Sequence, residues 1–289
     1  MNNFLQPIVT ELKMLENGIC LQSEETLLKV SKKYTRFYLL GAIFDKPAKS
    51  AVLNMISFNG FGGCTKCLQL GETFETRKGG HSHIFPFKSQ NPLGPLRTEK
   101  SYDDDVKSRN TSNGVLGSCC LSLLEYFHPI SGTCIDYMHS ILEGVVKSLF
   151  YRWFGQENYS LDCSLRCYLE KIDTRIISIR PPKFISTTPR SIYSWKTWRA
   201  HEYLSFILYY ALPIFIDIMD EKQFNHLTKL VIFIEIILSR EIKKMDLEFA
   251  ETIIIAFVKD LVQFILLDLC YQEFTNYCIL LIALEISVL

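Results

Sequence analysis

The sequence predicts a mainly α-helical protein with a small α/β part near its N-terminus. Three observations lead to this fold class. Apolar residues recur at helical spacing through most of the second half of the chain. One strand-like apolar run, Tyr34–Phe44, comes before them and is followed at once by a helix signal at Pro47. The 289 residues are 48% hydrophobic and 21% charged, which is typical of a globular chain.

Local signals predict the N-terminal elements. Apolar spacing favours a helix over Phe4–Leu15. The β-branched and aromatic run Tyr34–Phe44 predicts a buried strand. Pro47 suits the first turn of a helix that extends to about Ile56. The glycine-rich segment 59–63 predicts a tight turn, because glycine readily adopts positive φ.

The remaining chain divides into a polar segment and a helical region. Residues 72–115 are polar and rich in Gly, Ser, Asn and Pro, and they predict an extended loop or a partly disordered segment that contains the acidic run 103–105. Apolar periodicity predicts a strong helix over Cys134–Trp153. Further helices are predicted at about 195–219, 221–239, 246–269 and 273–287. We therefore predict three regions, 1–71, 72–115 and 116–289.

Charge and cysteine content narrow the classes of function. The net charge is zero, so any affinity for nucleic acid must come from a local patch. Residues 166–199 contain eight basic and two acidic side chains, and 217–289 contain six basic and twelve acidic ones. Ordinary solvated surface is the alternative interpretation of both stretches. No signal-peptide layout opens the chain, so we expect its ten cysteines to be reduced thiols of an intracellular protein.

The sequence also lacks the patterns of membrane proteins, nucleotide-binding proteins and serine hydrolases. No apolar stretch approaches the roughly 20 residues that a membrane span needs, so we expect no membrane segment. The glycines at 60–63 lack the following Lys and Ser/Thr of a phosphate-binding loop. Neither a dinucleotide-binding fingerprint nor a Ser-His-Asp order is found.

Asp45 follows the predicted strand directly. A carboxylate at a strand tip can hold Mg²⁺ for phosphodiester chemistry. The alternative is a helix N-cap, since Asp45 directly precedes Lys46-Pro47.

Cys64 and Cys67 form a CxxC pair, whose two thiolates can bind one tetrahedral Zn²⁺. A closed site needs two more ligands, for which His81 and His83 are nearby candidates. The alternatives are two core thiols or a redox dithiol.

Two other motifs carry polar side chains that chemistry could use. Asp136 and His139 open the long predicted helix, where they could hydrogen-bond to each other, share a metal, or act as a cap and a partly buried histidine. The stretch 195–203 interleaves aromatic residues with Lys196 and Arg199, which is typical of nucleic-acid backbone contacts or of a packed core helix. Within it, Glu202 is a candidate carboxylate ligand.

The order of these motifs resembles the transposases of CACTA-like DNA transposons over nearly the whole chain. The matching stretches are Asp45-Lys46-Pro47-Ala48-Lys49-Ser50-Ala51, 58–67, Pro95-Leu96-Arg97-Thr98, 136–139, 153–154, 189–192, 198–202 and 209–213. The resemblance implies a ribonuclease-H-like core, of which residues 1–71 are a part, interrupted by a helical insertion in 116–289. It also implies three acidic residues that bind Mg²⁺ and cut and join DNA.

The resemblance also assigns roles to single residues. Asp45 corresponds to the second acidic residue, and Cys64 and Cys67 correspond to the cysteine half of a zinc site. Asp136 and His139 match the family's DxxH motif, to which we assign no role. Where the family has its zinc-binding histidines, this chain has Ile279 and Ala283. We expect the first acidic residue upstream of this chain and the third beyond residue 289.

We therefore expect a transposase-derived protein that is catalytically inactive as this chain, because one carboxylate cannot hold two Mg²⁺ ions. Two alternatives stay open: part of an active transposase, with Glu202 as a possible ligand, and a host regulatory DNA-binding protein. Expected partners are DNA or other transposase-like subunits, including copies of itself, and the expected location is the nucleus. The candidate DNA-binding residues are Arg180, Lys183, Arg190, Lys196 and Arg199.

Overall fold

The computed structural model describes residues 2–26, 29–75, 80–92, 94–156, 163–185 and 188–266. These residues are mainly helical with a few short strands, as the sequence predicts at this level. They form two compact units, unit 1 (1–71 and 95–136) and unit 2 (72–94 and 137–289). Within the described part of the chain, no helix combines the length and apolarity that crossing a membrane requires.

The regular elements follow one another along the chain with short connections. They are α1 (Asn2–Asn17), β1 (Ile19–Thr26), β2 (Lys29–Thr35), β3 (Ala42–Phe44), α2 (Lys46–Val52), β4 (Glu72–Glu75), β5 (His81–Ile84), α3 (Glu99–Ser108), β6 (Thr133–Ile135), α4 (Lys147–Phe154), α5 (Leu169–Ser178), α6 (Ala200–Ser205), α7 (Ala211–Phe215), α8 (Glu221–Ile237) and α9 (Lys244–Leu266). A π-helical segment, Met138–Val146, leads into α4, and a second, Phe206–Tyr210, joins α6 to α7. Short 3₁₀ helices span Cys120–Leu123, Arg166–Tyr168 and Ile192–Thr197.

The strands form three two-stranded sheets. In unit 1, β1 and β2 form an antiparallel hairpin, and β3 pairs with β6 in parallel, with Ala42 opposite Thr133 and Phe44 opposite Ile135. In unit 2, β4 and β5 form an antiparallel hairpin. Because β3 and β6 are parallel, their carboxyl ends lie at the same edge of the sheet. The residues that follow these two strands are therefore neighbours in space.

Unit 1 packs its core around the segment that follows α2. Leu53 and Tyr102 are fully buried, and the Tyr102 hydroxyl donates to the Leu53 carbonyl at 3.3 Å. Glu16 at the end of α1 is also buried, and its two carboxylate oxygens accept the backbone N–H groups of Glu125 and Tyr126. A buried carboxylate is tolerated here because its oxygens accept hydrogen bonds.

Unit 2 packs around Phe150 of α4, whose side chain is fully buried. Its ring lies 5.1 Å from those of Tyr203 and Phe206, at edge-to-face angles. Trp153, Phe154, Trp195 and Trp198 surround it at centroid distances of 5.5 to 6.1 Å. Such aromatic pairs add about 0.5–1.5 kcal/mol each to the energy of burial. This cluster holds α4, α6 and the Ile192–Thr197 helix together.

The predicted buried strand over Tyr34–Phe44 is wrong in extent and in burial. The β1–β2 hairpin ends at Thr35, and only Ala42–Phe44 pair as β3. Leu40 is 90% exposed and Ile43 is 67% exposed. The apolar run predicted a strand with both faces covered, but β3 finds a partner strand for three residues only.

The predicted extended loop over 72–115 is also wrong. It contains the β4–β5 hairpin and α3, and the acidic run 103–105 lies inside that helix. The helix begins with a capping box, in which Thr98 and Ser101 exchange side chain to backbone hydrogen bonds of 3.0 and 2.9 Å. The cap outweighs the low helix propensity of the polar segment.

The long helices agree better with the periodicity of the sequence. The helix predicted over Cys134–Trp153 begins later, because Cys134 lies in β6. The predicted helix at 195–219 is a 3₁₀ turn followed by α6, the π-helical segment and α7, and α8 lies within 221–239. The helix α9 starts two residues before the predicted start at 246. The predicted helix at 273–287, with Ile279 and Ala283, lies outside the described residues.

The buried histidine of unit 2 predicts a pH-dependent stability. His226 is 5% exposed, stacks on Phe257 at 4.1 Å, and has Nε2 3.1 Å from the Phe257 carbonyl. Burial lowers the pKa of its imidazole to about 4, although the Phe257 carbonyl and Asp260 oppose this, while Lys229 and Arg152 add to it. The neutral form is therefore favoured in the folded state. Its stabilisation is complete above pH 6.5 and is lost as the pH falls through 4.

We expect His226→Gln to remove this pH dependence, which amounts to about 3 kcal/mol between pH 6.5 and 4. Urea unfolding followed by tryptophan fluorescence measures it, since all three tryptophans lie in unit 2. The control is His201→Gln, an exposed histidine of the same unit. An equal loss of stability on acidification in the wild type and in His226→Gln would contradict the prediction.

Candidate metal site and nucleic-acid interface

The Cys64–Cys67 turn has a geometry that suits a thiolate. The Cys64 Sγ accepts the backbone N–H groups of Lys66 at 3.3 Å and of Cys67 at 3.0 Å. Cys64 is fully buried and Cys67 is 5% exposed. Two N–H donors aimed at one sulfur stabilise negative charge on it. The Cys64 sulfur therefore has two hydrogen-bond donors within its own turn.

A buried arginine fixes this turn. The Arg97 guanidinium donates from Nε to the Cys64 carbonyl at 3.2 Å and from Nη2 to the Cys67 carbonyl at 3.5 Å. Nη2 also donates to the Asn113 carbonyl at 2.6 Å, and Nη1 lies 3.7 Å from a carboxylate oxygen of Asp105. Because the guanidinium is planar with five donors, one side chain can hold several carbonyls at fixed positions.

Burial and charge act in opposite directions on these groups. Burial raises the pKa of the Cys67 thiol, while the backbone N–H of Gln69 and the charge of Arg97 act to lower it. Burial also lowers the pKa of Arg97, which the charge of Asp105 opposes. A metal that binds Cys67 would therefore displace a proton held more tightly than in an ordinary thiol.

Two buried lysines connect the turn and α2 to β6. The Lys66 ammonium donates to the carbonyls of Ile130 at 2.7 Å and of Thr133 at 2.8 Å. The Lys49 ammonium lies 3.3 Å from the Cys134 carbonyl. Both lysines are 6% exposed. These bonds hold the segment before β6 in position for its pairing with β3.

The two cysteines fit half of a tetrahedral zinc site. Both thiols belong to one turn, and backbone donors stabilise the Cys64 sulfur, as a structural zinc ligand requires. Among the residues that the structure describes, no group of three or more His, Cys, Asp or Glu side chains could hold a metal ion. His81 and His83, the candidate ligands from the sequence, lie on β5 in unit 2. Zinc at this turn stays a prediction.

Asp45 is the N-cap of α2, which confirms the alternative interpretation of this residue. Its Oδ1 accepts the Ala48 backbone N–H at 2.8 Å, and Pro47 occupies the first turn of the helix. The side chain is exposed at the carboxyl end of β3. Capping and metal binding can coexist at one carboxylate, since capping uses one of its oxygens.

Asp136 occupies the corresponding position on the neighbouring strand. Phe44 pairs with Ile135, so Asp45 and Asp136 each lie one residue beyond the paired ends of two parallel strands. The structure thus places at one sheet edge two aspartates that were predicted to act in separate motifs. The N-cap of the following helix is Tyr137 rather than Asp136, because Asp136 continues from the strand. His139 is exposed within the π-helical segment.

Glu202 and Arg190 form an ion pair in unit 2. Arg190 donates from Nε to Oε1 at 2.5 Å and from Nη2 to Oε2 at 2.9 Å, and Glu202 also accepts the Arg199 backbone N–H at 2.8 Å. Burial acts to raise the pKa of the Glu202 carboxyl, but these donors outweigh it and lower the pKa. Both side chains thus have a structural task at the start of α6. The ligand role of Glu202 and the DNA-binding role of Arg190 stay predictions.

The other four candidate cations are exposed. Within the described ranges, none of them forms an ion pair, whereas Lys171 and Arg175 both pair with Asp217. Arg180 donates only to carbonyls at the end of α5, and the Lys196 ammonium lies over the rings of Tyr151 and Trp195 at 5.7 and 5.6 Å. We call these four residues the open cations: Arg180, Lys183, Lys196 and Arg199.

The tryptophans of the 195–203 stretch pack inside unit 2. Trp195 is 4% exposed and Trp198 is 6% exposed, and both contact Phe150. This confirms the packing interpretation for these two aromatic residues. A nucleic acid at this surface would therefore meet the cations and other, exposed aromatic side chains.

The sequence analysis assigned no role to Arg97 or Lys66, although both lie in motifs that it quoted. The signal that could have predicted their burial is that each cation lies inside or beside a motif of small and apolar residues. Such a cation is buried more often when it has carbonyls to satisfy it. The partners themselves, Asn113 and Thr133, are too distant along the chain to be identified from spacing.

The role of Arg97 is open to a direct test. We expect Arg97→Met to remove the cation beside the buried Asp105 carboxylate, which keeps only its amide donors, and to destabilise unit 1 by about 3 kcal/mol. The rate at which iodoacetamide labels Cys64 and Cys67, measured by mass spectrometry, should rise by about 100-fold. Lys107→Met on the exposed side of α3 is the control. Unchanged protection of both thiols in Arg97→Met would contradict this role.

No family model matches this chain, and no curated protein or solved structure matches it either. The resemblance to CACTA-like transposases therefore depends on the order of motifs in the sequence alone. The case for a function has to be made from the contacts, burial and charge of the described residues.

Proposed function

We propose that this chain is a transposase-derived protein that binds DNA and does not cut it. The observation that carries the proposal is the group of open cations in unit 2. Eight basic residues lie within 166–199, but the ion pairs with Asp217 and Glu202 neutralise part of that charge. The open cations are exposed and form no ion pair with any described residue, so their charge can neutralise phosphates.

The scaffold supports this use of the surface. Asp173 of α5 accepts the Ser191 hydroxyl and the Ile192 N–H, both at 2.7 Å, and so ties α5 to the Ile192–Thr197 helix. The aromatic cluster around Phe150 fixes the same helix from the inside. Cations carried on a rigid scaffold lose less conformational freedom when they bind a polyanion. The proposal includes a partial ribonuclease-H-like arrangement for residues 1–71, which the resemblance supports.

The test replaces the four open cations by glutamine together. We expect DNA affinity to fall and the slope of log K against log salt to drop by about 3–4, because each phosphate contact contributes about 0.9. The measurement is fluorescence anisotropy with labelled DNA over a range of salt concentrations.

A matched control carries the same charge change elsewhere in unit 2. Lys222, Arg240, Lys243 and Lys244 are exposed residues on or between α8 and α9. Replacing these four by glutamine should leave the salt slope within about one unit of the wild type. If both quadruple variants lose affinity equally, net charge explains the binding and the proposed surface is wrong.

A second candidate function is metal-dependent DNA cleavage, as part of an active transposase. The specific observation in its favour is that Asp45 and Asp136 follow paired ends of two parallel strands. Two carboxylates at one strand edge are a common way to hold a divalent cation. In-line phosphoryl transfer with two metal ions needs further ligands, which would have to come from residues not described or from another chain.

Strand nicking separates the two candidates. Supercoiled plasmid with Mg²⁺ or Mn²⁺ should stay intact with the wild-type chain if the proposed function is right. Nicking by the wild type that is lost in Asp45→Asn and in Asp136→Asn would establish the second candidate instead. Asp220→Asn is the control, because Asp220 caps α8 through the same 2.8 Å bond to a backbone N–H.

A further inference from the structure

The loop that follows α5 carries an exposed aromatic side chain at its tip. The Ile185 N–H donates to the Pro182 carbonyl at 3.0 Å, which closes a four-residue turn. Lys183 and Phe184 occupy its two central positions. Pro181 and Pro182 restrict the backbone that leads into the turn, because proline fixes φ near −65°. The turn therefore presents Lys183 and Phe184 together.

Phe184 is 79% exposed, more than any other large hydrophobic side chain described in unit 2. A single exposed apolar side chain is ordinary by itself. Its surroundings are less ordinary: Lys183 lies beside it and Arg180 precedes the turn, and both cations are exposed and have no ion pair within the described part of the chain. No acidic residue lies between Arg175 and Glu202 to offset them.

Charge and exposure together favour one kind of occupant. The cations complement a phosphate backbone, and an exposed phenyl ring offers a face on which a base can stack. In a paired duplex the base faces are covered by their neighbours, so a ring at a turn tip has a stacking partner only where bases are unpaired. Lys183 beside Phe184 would then contact the phosphate next to the stacked base.

We propose that Phe184 stacks on an unpaired base, so that the DNA bound by this surface is single-stranded or locally opened. The inference deepens the proposed function and depends on it. Lys183 contributes charge and Phe184 contributes selectivity for unpaired bases. The two side chains therefore affect different measured quantities, and their substitutions can be told apart.

The experiment compares binding of a labelled oligo-dT strand and of a duplex of equal length. We expect Phe184→Ala to weaken oligo-dT binding by about 10- to 100-fold, as for the loss of one stacked base, with the salt slope unchanged. Duplex affinity should change by less than about 2-fold. Phe184→Trp should keep or increase the affinity for oligo-dT, whereas Phe184→Leu should lose it, because leucine is apolar but has no ring.

Lys183→Ala and Phe249→Ala complete the set. Lys183→Ala should weaken the binding of both oligo-dT and duplex and reduce the salt slope by about 1. Phe249→Ala removes a half-exposed phenylalanine of α9 and should change neither affinity. Tryptophan fluorescence should show unit 2 equally folded in all variants, since Phe184 lies on the surface.

The outcomes separate this inference from the proposed function. Suppose that the wild type binds DNA with a steep salt slope, but that Phe184→Ala weakens the binding of oligo-dT and of duplex equally or leaves both unchanged. The stacking role is then wrong, and the DNA-binding proposal stands. If Phe184→Leu binds oligo-dT as well as the wild type, the contact is apolar packing and stacking is again wrong. If the wild type binds neither ligand, the proposed function fails and this inference with it.

Discussion

The arrangement of unit 1 depends on one buried guanidinium. Arg97 reaches the carbonyls of two cysteines in one turn and the carbonyl of Asn113, and Asp105 balances its charge. Placing a charge in the interior costs several kcal/mol, and here three carbonyl acceptors and the Asp105 carboxylate offset that cost. These contacts connect the Cys64–Cys67 turn to Asn113 and to Asp105 of α3.

The same constraint extends to the parallel strand pair. Lys66, one residue before Cys67, anchors the carbonyls that lead into β6, and Lys49 anchors the strand itself. Three residues of parallel pairing would be weak without such support. Because the strands are held in register, Asp45 and Asp136 lie at one edge. The two aspartates are 91 residues apart in the sequence. Their proximity could not be predicted, because residue spacing does not give the register between distant strands.

Sequence reasoning succeeded where burial follows a local period and failed where it depends on distant partners. The helices α8 and α9 were predicted because their apolar stripes repeat every three or four residues. The segment 34–44 was predicted as a buried strand because its residues favour strands, yet Leu40 is 90% exposed. The helix α3 was not predicted because its segment is polar. The capping box that begins at Thr98 was a local signal from which it could have been predicted.

The candidate DNA-binding surface shows why a count of charges is a poor guide to a binding site. From the sequence, Arg175, Arg180 and Arg190 are equivalent cations in one basic stretch. In the structure, Arg175 and Arg190 neutralise carboxylates that come from other elements, whereas Arg180 has no ion pair with any residue that the structure describes. A guanidinium that is paired with a carboxylate contributes little free energy to phosphate binding, because that ion pair must be broken first. The sequence shows which side chains are cationic, but only tertiary contacts show which of them are already paired with a carboxylate. A polyanion binds most readily to the cations that are not paired.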